Sequence, residues 1–168
     1  MDDRTAIPSA PRILEAGDGV VMGDPDGVRD RFMIDGADAG GRFALVQHLF
    51  APRALAAPLH RHHREDEYTY VLFGRIGAVL GDDEVVAEPG DLVFKPRNQW
   101  HTFWNAGDEP AAVLELISPS GLEELFRQLG RLTEPPTPEQ IAGMAAPYEC
   151  DADPEGTQRI VERHGLRF

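Results

Sequence analysis

The chain has 168 residues, enough for one domain to bury a hydrophobic core without disulfide bonds. Its formal net charge is −13 and Lys95 is the only lysine, so it lacks the basic surface that nucleic-acid binding requires. No apolar stretch approaches the roughly 18–20 residues that span a bilayer, which excludes a transmembrane helix. The acidic start Met1–Arg4 and a single cysteine, Cys150, lead us to expect a reducing, cytoplasmic setting.

Taken in chain order, the first 118 residues predict a flexible tail followed by strands. Residues 1–11 are polar and lack a hydrophobic period, so they are predicted to be the tail. Residues 12–118 alternate short apolar runs with Gly, Pro, Asp and Asn, as in an all-β sandwich or barrel. The predicted strands are Arg12–Leu14, Gly19–Met22, Arg31–Ile34, Arg42–Val46, Tyr68–Phe73, Ile76–Leu80, Glu84–Ala87, Asp91–Phe94, Thr102–Trp104 and Ala111–Ile117.

Residues 119–168 have a helical pattern instead. An amphipathic helix is predicted from the spacing of four apolar residues, Leu122, Leu125, Phe126 and Leu129. Thr137-Pro138 and Asp153-Pro154 each have the pattern of a capped helix start, and the last helix is expected to stop at Gly165. We expect a helical extension that packs on the barrel or against a second subunit, with a lid over the barrel mouth as the alternative.

Three histidines and a glutamate form the pattern most suggestive of chemistry. Side chains alternate faces along a strand, so His60 and His62 are predicted to share one face. Glu67 begins the next strand and could bring a carboxylate to the same point, and His101 follows a tight turn further along. Imidazole and carboxylate groups together suit one divalent metal, and Fe, Mn, Ni, Co, Cu and Zn all accept such ligands.

These residues carry a resemblance to the cupin superfamily, and more narrowly to bacterial single-domain proteins similar to quercetin 2,3-dioxygenases. The family's two motifs are matched at eight positions, His60, His62, Glu67, Gly74, Gly90, Pro96, His101 and Asn105. Ala54 and Asn98 stand where the family usually has glycine. Both are predicted turn positions, and Asn tolerates a positive φ, so we expect the fold to be retained.

The resemblance implies a jelly-roll β-barrel with extra N-terminal strands, and a metal held by His60, His62, Glu67 and His101. It also implies a dioxygenase that acts on a small enol, catechol or flavonoid-type substrate, with Glu67 as a general base of raised pKa. Two alternatives stay open. One is a redox-neutral isomerase or lyase in which the metal acts only as a Lewis acid, and the other is a barrel that binds a small ligand without turnover.

Strand parity also suggests which side chains line the cavity. Thr69, Val71, Phe73 and Phe103 have the inward parity of Glu67 and His101, so they are candidates for the substrate pocket, with plain core packing as the alternative. The run Arg64–Asp66 is predicted to be a solvated turn. Because barrels with exposed edges are usually covered by association, we expect a homodimer.

Overall fold

The computed structural model describes residues 10–134 and 136–168. Most of the predicted tail, residues 1–11, lies outside the described residues. The strand predicted at Arg12–Leu14 is wrong, because this segment pairs with no other strand in the described chain. Ile13 is 85 % exposed, so its apolar side chain has no buried face to occupy.

The described chain folds into two antiparallel sheets. Their strands are β1 (Val20–Gly23), β2 (Val28–Ile34), β3 (Ala44–Phe50), β4 (Leu59–His62), β5 (Asp66–Phe73), β6 (Ile76–Leu80), β7 (Asp83–Ala87), β8 (Leu92–Lys95), β9 (His101–Asn105), β10 (Ala111–Ser118) and β11 (Cys150–Asp153). Within residues 10–134 and 136–168, the larger sheet has the order β1-β2-β3-β10-β5-β8 and the smaller β11-β4-β9-β6-β7. The predicted jelly-roll barrel with N-terminal strands and a helical C-terminus is confirmed.

Alternation along the strands places the core between the two sheets. In β3 every second residue is buried, and β5 follows the same pattern from Glu67 to Val71. One apolar cluster fills the barrel interior and includes Phe50, Val71, Ile76, Ala78, Phe103 and Val113. Polar side chains of β5, β8, β9 and β10 face the same interior, and these side chains form the site described below.

Helices α1 (Glu123–Leu129), α2 (Pro138–Ala145) and α3 (Pro154–His164) follow the barrel. The predicted starts are confirmed, since Thr137 forms a capping box with Gln140 and Asp153 accepts a hydrogen bond from the N–H of Gly156. Gly165 ends α3 with φ of 60°. No helix in the described parts of the chain is long and apolar enough to cross a membrane.

The end of the C-terminal segment, β11 and α3, packs against the smaller sheet, whereas α1 and α2 pack against the larger one. α3 covers the smaller sheet through Ile160, which packs with Leu55, Trp104 and Leu166. β11 extends the sheet at the edge of β4, where Cys150 pairs with His62. β11 and α3 therefore support the strand that carries two of the predicted metal ligands.

Candidate metal centre

The four predicted ligands come together inside the barrel. β4 supplies His60 and His62, β5 supplies Glu67, and β9 supplies His101. One ligand atom from each residue lies within 4.8 Å of those of the other three. The antiparallel pairing of β4 and β9 places His60 directly opposite His101, which explains how ligands 41 positions apart in sequence meet.

The outer nitrogen of each imidazole has a partner of its own. His60 Nδ1 donates to the carbonyl of Pro58 at 2.7 Å, and His101 Nδ1 donates to the carbonyl of Gln99 at 3.0 Å. His62 Nδ1 lies 3.0 Å from Cys150 Sγ. Partners of this kind fix the ring orientation and leave Nε2 as the atom available to a metal.

The inner atoms converge in the way that a shared metal ion requires. His60 Nε2 and His62 Nε2 are 3.0 Å apart, and the two oxygens of Glu67 lie 3.4 Å from His62 Nε2 and 3.2 Å from His101 Nε2. His101 Nε2 is buried and has no hydrogen-bond partner among the described residues. A buried nitrogen without a partner is costly, and a metal ion would satisfy it. The four side chains therefore fit a divalent metal.

The charges of the cluster suit this interpretation. Burial and the neighbouring His101 and His62 imidazoles hold the pKa of His60 well below its ordinary value. Burial also opposes a charge on His62, but the Glu67 carboxylate and Cys150 raise the pKa of His62 to about 10. One proton thus resides among the imidazoles without a metal, and a bound cation would take the place of that positive charge.

Comparison with known proteins agrees with this geometry. Residues 47–117 match the family profile described as the cupin domain. The matched segment is similar to the cupin domain and contains all four candidate ligands. The curated relative "Tetracenomycin polyketide synthase protein TcmJ" of Streptomyces glaucescens is 26 % identical over 112 residues, which cover 67 % of this chain and 73 % of TcmJ.

Solved structures share the cupin fold at low sequence identity. KdgF from Halomonas sp. matches with a TM-score of 0.59 and 21 % identity, covering 68 % of this chain and 99 % of that chain. The polyketide cyclase RemF from Streptomyces resistomycificus matches with a TM-score of 0.57 and 24 % identity, covering 66 % and 81 %. At these identities the likenesses establish the fold alone.

Within the cluster of candidate ligands, the expected raised pKa of Glu67 is wrong. Burial favours the neutral acid, but the positive charges of Lys95 and His62 outweigh burial and hold the pKa of Glu67 well below its ordinary range. Lys95 Nζ lies 2.8 Å from Glu67 Oε2. The carboxylate is therefore kept ionised and is a weaker base than the sequence suggested.

Sequence reasoning missed two buried charged residues beside the ligands. Lys95 lies 2.8 Å from Glu67 and 3.0 Å from Glu115, so its ammonium group joins two carboxylates. Two signals could have revealed them. Lys95 has the inward parity of Val93 on β8, and Glu115 interrupts the otherwise apolar strand β10.

The predicted turn at Arg64–Asp66 also contains a buried acid. Glu65 is only 1 % exposed, and its Oε2 has no hydrogen-bond partner in the part of the chain that the structure describes. Burial raises the pKa of Glu65, although the nearby His62 and Arg64 oppose this. The solvated turn predicted here is therefore wrong at Glu65, whose side chain turns inward next to the histidine cluster.

Three of the four predicted pocket residues face the barrel interior. Thr69 donates a hydrogen bond to Glu115 at 2.9 Å, Val71 is buried, and the ring of Phe103 lies 4.0 Å from Lys95 Nζ. The inward parity expected of Phe73 is wrong, because this residue is 48 % exposed. The pairing of β10 with β5 shifts register next to Phe73, which breaks the alternation there.

Proposed function

We propose that this cupin is a metal-dependent enzyme acting on a small substrate whose oxygen binds at the cluster of His60, His62, Glu67 and His101. The observation that carries the proposal is the convergence of three Nε2 atoms and one carboxylate. The Nδ1 atom of each of the three imidazoles contacts a partner outside the cluster. A closed structural site would use up all positions around a metal, whereas four ligands leave room for a substrate on an ion that accepts five or six.

The surrounding side chains define what such a substrate meets. Val71 and Phe103 belong to the apolar cluster that fills the barrel interior, and the Phe103 ring contacts Lys95, so these surroundings favour a largely apolar substrate. Thr69 and Glu115 offer polar groups on the same inner face. A divalent metal bound here would supply Lewis acidity and, if redox-active, electrons for a reaction with dioxygen.

For the reaction, we propose a dioxygenase that cleaves a small enol, catechol or flavonoid-type compound. The donor set supports this choice, since three neutral imidazoles and one carboxylate leave a divalent ion with a net positive charge and open positions. Glu67, kept ionised by Lys95, would orient the substrate hydroxyl by accepting its hydrogen bond.

A redox-neutral reaction on an enolisable substrate is the second candidate. One observation favours it: the relative TcmJ is named as a polyketide synthase protein. Polyketide chains are rich in enolisable carbonyls, so they belong to the substrate class proposed here. A Lewis-acidic metal alone could promote isomerisation, ring closure or elimination of such a compound.

The test combines metal analysis with oxygen uptake. Purified protein is compared with His101→Ala and with the control His63→Ala, whose ring lies outside the cluster on Asn98 and Asp151. We expect about one transition metal per chain in the wild type and in the control, and little in His101→Ala. Oxygen uptake with catechols, flavonols or β-diketones would support the dioxygenase.

Each other outcome has a distinct meaning. Substrate turnover without oxygen uptake would replace the dioxygenase by the redox-neutral enzyme. Metal-dependent binding without turnover of any compound in the panel would favour a ligand-binding cupin. Equal metal content in all three proteins, or none in any of them, would overturn the proposed metal centre.

We also propose that the protein forms a homodimer through the outer face of β5 and β8. This apolar outer face consists of Tyr68, Tyr70, Leu72, Leu92 and Phe94, and four of these side chains are exposed. The strands pair Tyr68 with Phe94 and Tyr70 with Leu92, so the residues form one continuous surface. β8 is also an edge strand of the described sheet, so a second copy could extend the sheet and cover the apolar face together.

A further inference from the structure

Lys95 occupies an unusual position for the only lysine of a chain. Its side chain is 0 % exposed, and its Nζ lies between Glu67 Oε2 at 2.8 Å and Glu115 Oε1 at 3.0 Å. Placing an ammonium group in a barrel interior is expensive unless opposite charges compensate for the lost water. The two carboxylates provide that compensation, so all three groups depend on one another.

The strands hold these groups in a fixed arrangement. Lys95 on β8 pairs directly with Glu67 on β5, and Glu115 on β10 pairs with Thr69 on β5. The Thr69 hydroxyl donates to Glu115, at 3.0 Å from Oε1 and 2.9 Å from Oε2. Glu115 lies outside the group of four candidate ligands, so its contacts serve Lys95 and not the metal.

The two oxygens of Glu67 are consequently in different surroundings. Both oxygens face candidate ligand nitrogens, since Oε1 lies 3.4 Å from His62 Nε2 and Oε2 lies 3.2 Å from His101 Nε2. Oε2 is in addition 2.8 Å from the ammonium group of Lys95, which therefore competes with a metal for this oxygen. The contact between Lys95 and Oε2 is an ion pair that lacks the alignment of a hydrogen bond. Charge attraction therefore holds Oε2 next to the ammonium group. A carboxylate that gives one oxygen to a metal occupies one coordination position, and one that gives both occupies two.

We propose that Lys95 is a positioning residue that keeps Oε2 of Glu67 from the metal, so that Glu67 binds through one oxygen and a coordination position stays open. The inference rests on the metal centre proposed above. Glu115 contacts the ammonium group and holds it where it faces Glu67, and Thr69 fixes Glu115 through a hydrogen bond. The open position is the one that a substrate oxygen would use.

The test uses Co(II), whose visible absorption bands weaken as its coordination number rises, and azide as a probe of open positions. Lys95→Met alone would leave two buried carboxylates without a counter-charge, so the informative protein is Lys95→Met/Glu115→Gln, which removes one charge of each sign. The matched control is Glu115→Gln, which retains Lys95 beside Glu67. Circular dichroism of the metal-free proteins checks that each variant folds.

We expect the Glu115→Gln protein to keep the wild-type Co(II) spectrum and azide affinity, because the amide oxygen of glutamine can still accept a hydrogen bond from Lys95. The double variant should bind Co(II), give weaker visible bands and bind azide at least about tenfold less tightly, because both oxygens of Glu67 then reach the metal. If the double variant does not fold, Lys95→Met/Glu115→Met replaces the ion pair by apolar groups of similar size and undergoes the same measurements.

The contrary results are distinguishable. A folded double variant with the spectrum and azide affinity of Glu115→Gln would overturn the role of Lys95 and leave the metal centre intact. Failure of the wild type to bind Co(II) would overturn the metal centre, and the positioning role would fall with it.

Discussion

His48 lies at the outer end of a row of charged groups that leads to the metal centre. Its Nδ1 is 2.7 Å from Asp30 Oδ1, and its Nε2 is 3.7 Å from Glu115 Oε2, which contacts Lys95 in turn. Burial alone would lower the pKa of His48 and Lys95 adds to this effect, but the negative charges of Asp30 and Glu115 prevail and raise it. The folded protein therefore binds a proton on His48 more tightly than the unfolded chain does.

This raised pKa predicts how stability changes with pH. A group with a raised folded pKa stabilises the protein fully below its unfolded pKa, about 6.5 for His, and loses that contribution as pH rises through the folded pKa. Metal-free wild type should thus exceed His48→Gln in stability most below about pH 6.5, and the difference should shrink as the pH rises above that value. Urea denaturation at several pH values measures this difference. Asp30→Asn removes the charged partner of His48, so its stability should fall below that of the wild type over the same pH range. A constant difference across the range would contradict the prediction.

At the residue scale, the metal ligands could be predicted and their charged neighbours could not. His60 and His62 follow a spacing that strand alternation converts directly into a common face of β4, and the motifs that carry the cupin resemblance add Glu67 and His101. The ion pairs of Lys95 depend instead on which strands are neighbours, because β8 pairs with β5 only in the folded sheet. Burial alone predicts a raised pKa for Glu67, and the charge of Lys95, which the sequence does not place beside it, reverses the direction.

At the scale of elements, apolar alternation and capping residues carried most of the information. The strands from β5 to β10 lie within two residues of their predicted ends, and α2 and α3 begin at their predicted caps. β11 could not be predicted from its sequence Cys-Asp-Ala-Asp, because it is only four residues long, has no β-branched or aromatic residue, and is held by backbone pairing with β4. A strand of this kind depends on its partner and not on its own residues.

Gly77 on β6 provides a test of how tightly the elements pack. It pairs with Trp104 on β9, and a Cβ at position 77 would lie 2.3 Å from Cε2 of the indole. Trp104 is covered by α3 through Ile160 and cannot easily move away. Gly77→Ala should therefore lower the free energy of unfolding by about 1–3 kcal/mol, measured by urea denaturation.

The control for this variant is Gly143→Ala in α2. A Cβ at position 143 meets nothing within 4 Å, so this helical replacement should stabilise the protein by about 0.5–1 kcal/mol. A Gly77→Ala protein as stable as the wild type would mean that Trp104 and α3 shift freely, contrary to the packing described above.

At the scale of the whole molecule, the proposed dimer explains why an acidic protein has a large apolar surface. Phe94 and Leu92 lie on the apolar outer face, and Val86 on β7 is an equally exposed apolar residue of the other sheet. Phe94→Glu would place two new charges in a symmetric contact and should convert the dimer to a monomer. Val86→Glu should leave the dimer intact. Sedimentation velocity measures both, and a monomeric wild type would refute the proposed contact.

The burial of Lys95 has one more consequence. Because the chain has a single lysine and its side chain is 0 % exposed, an amine-specific reagent can reach a lysine only when the barrel opens. The rate at which position 95 acquires the label, followed by mass spectrometry of peptides, would therefore report the opening of one defined place beside the metal centre. The labelling rate of Lys95 thus measures how often the native barrel opens. No reporter residue has to be introduced for this measurement.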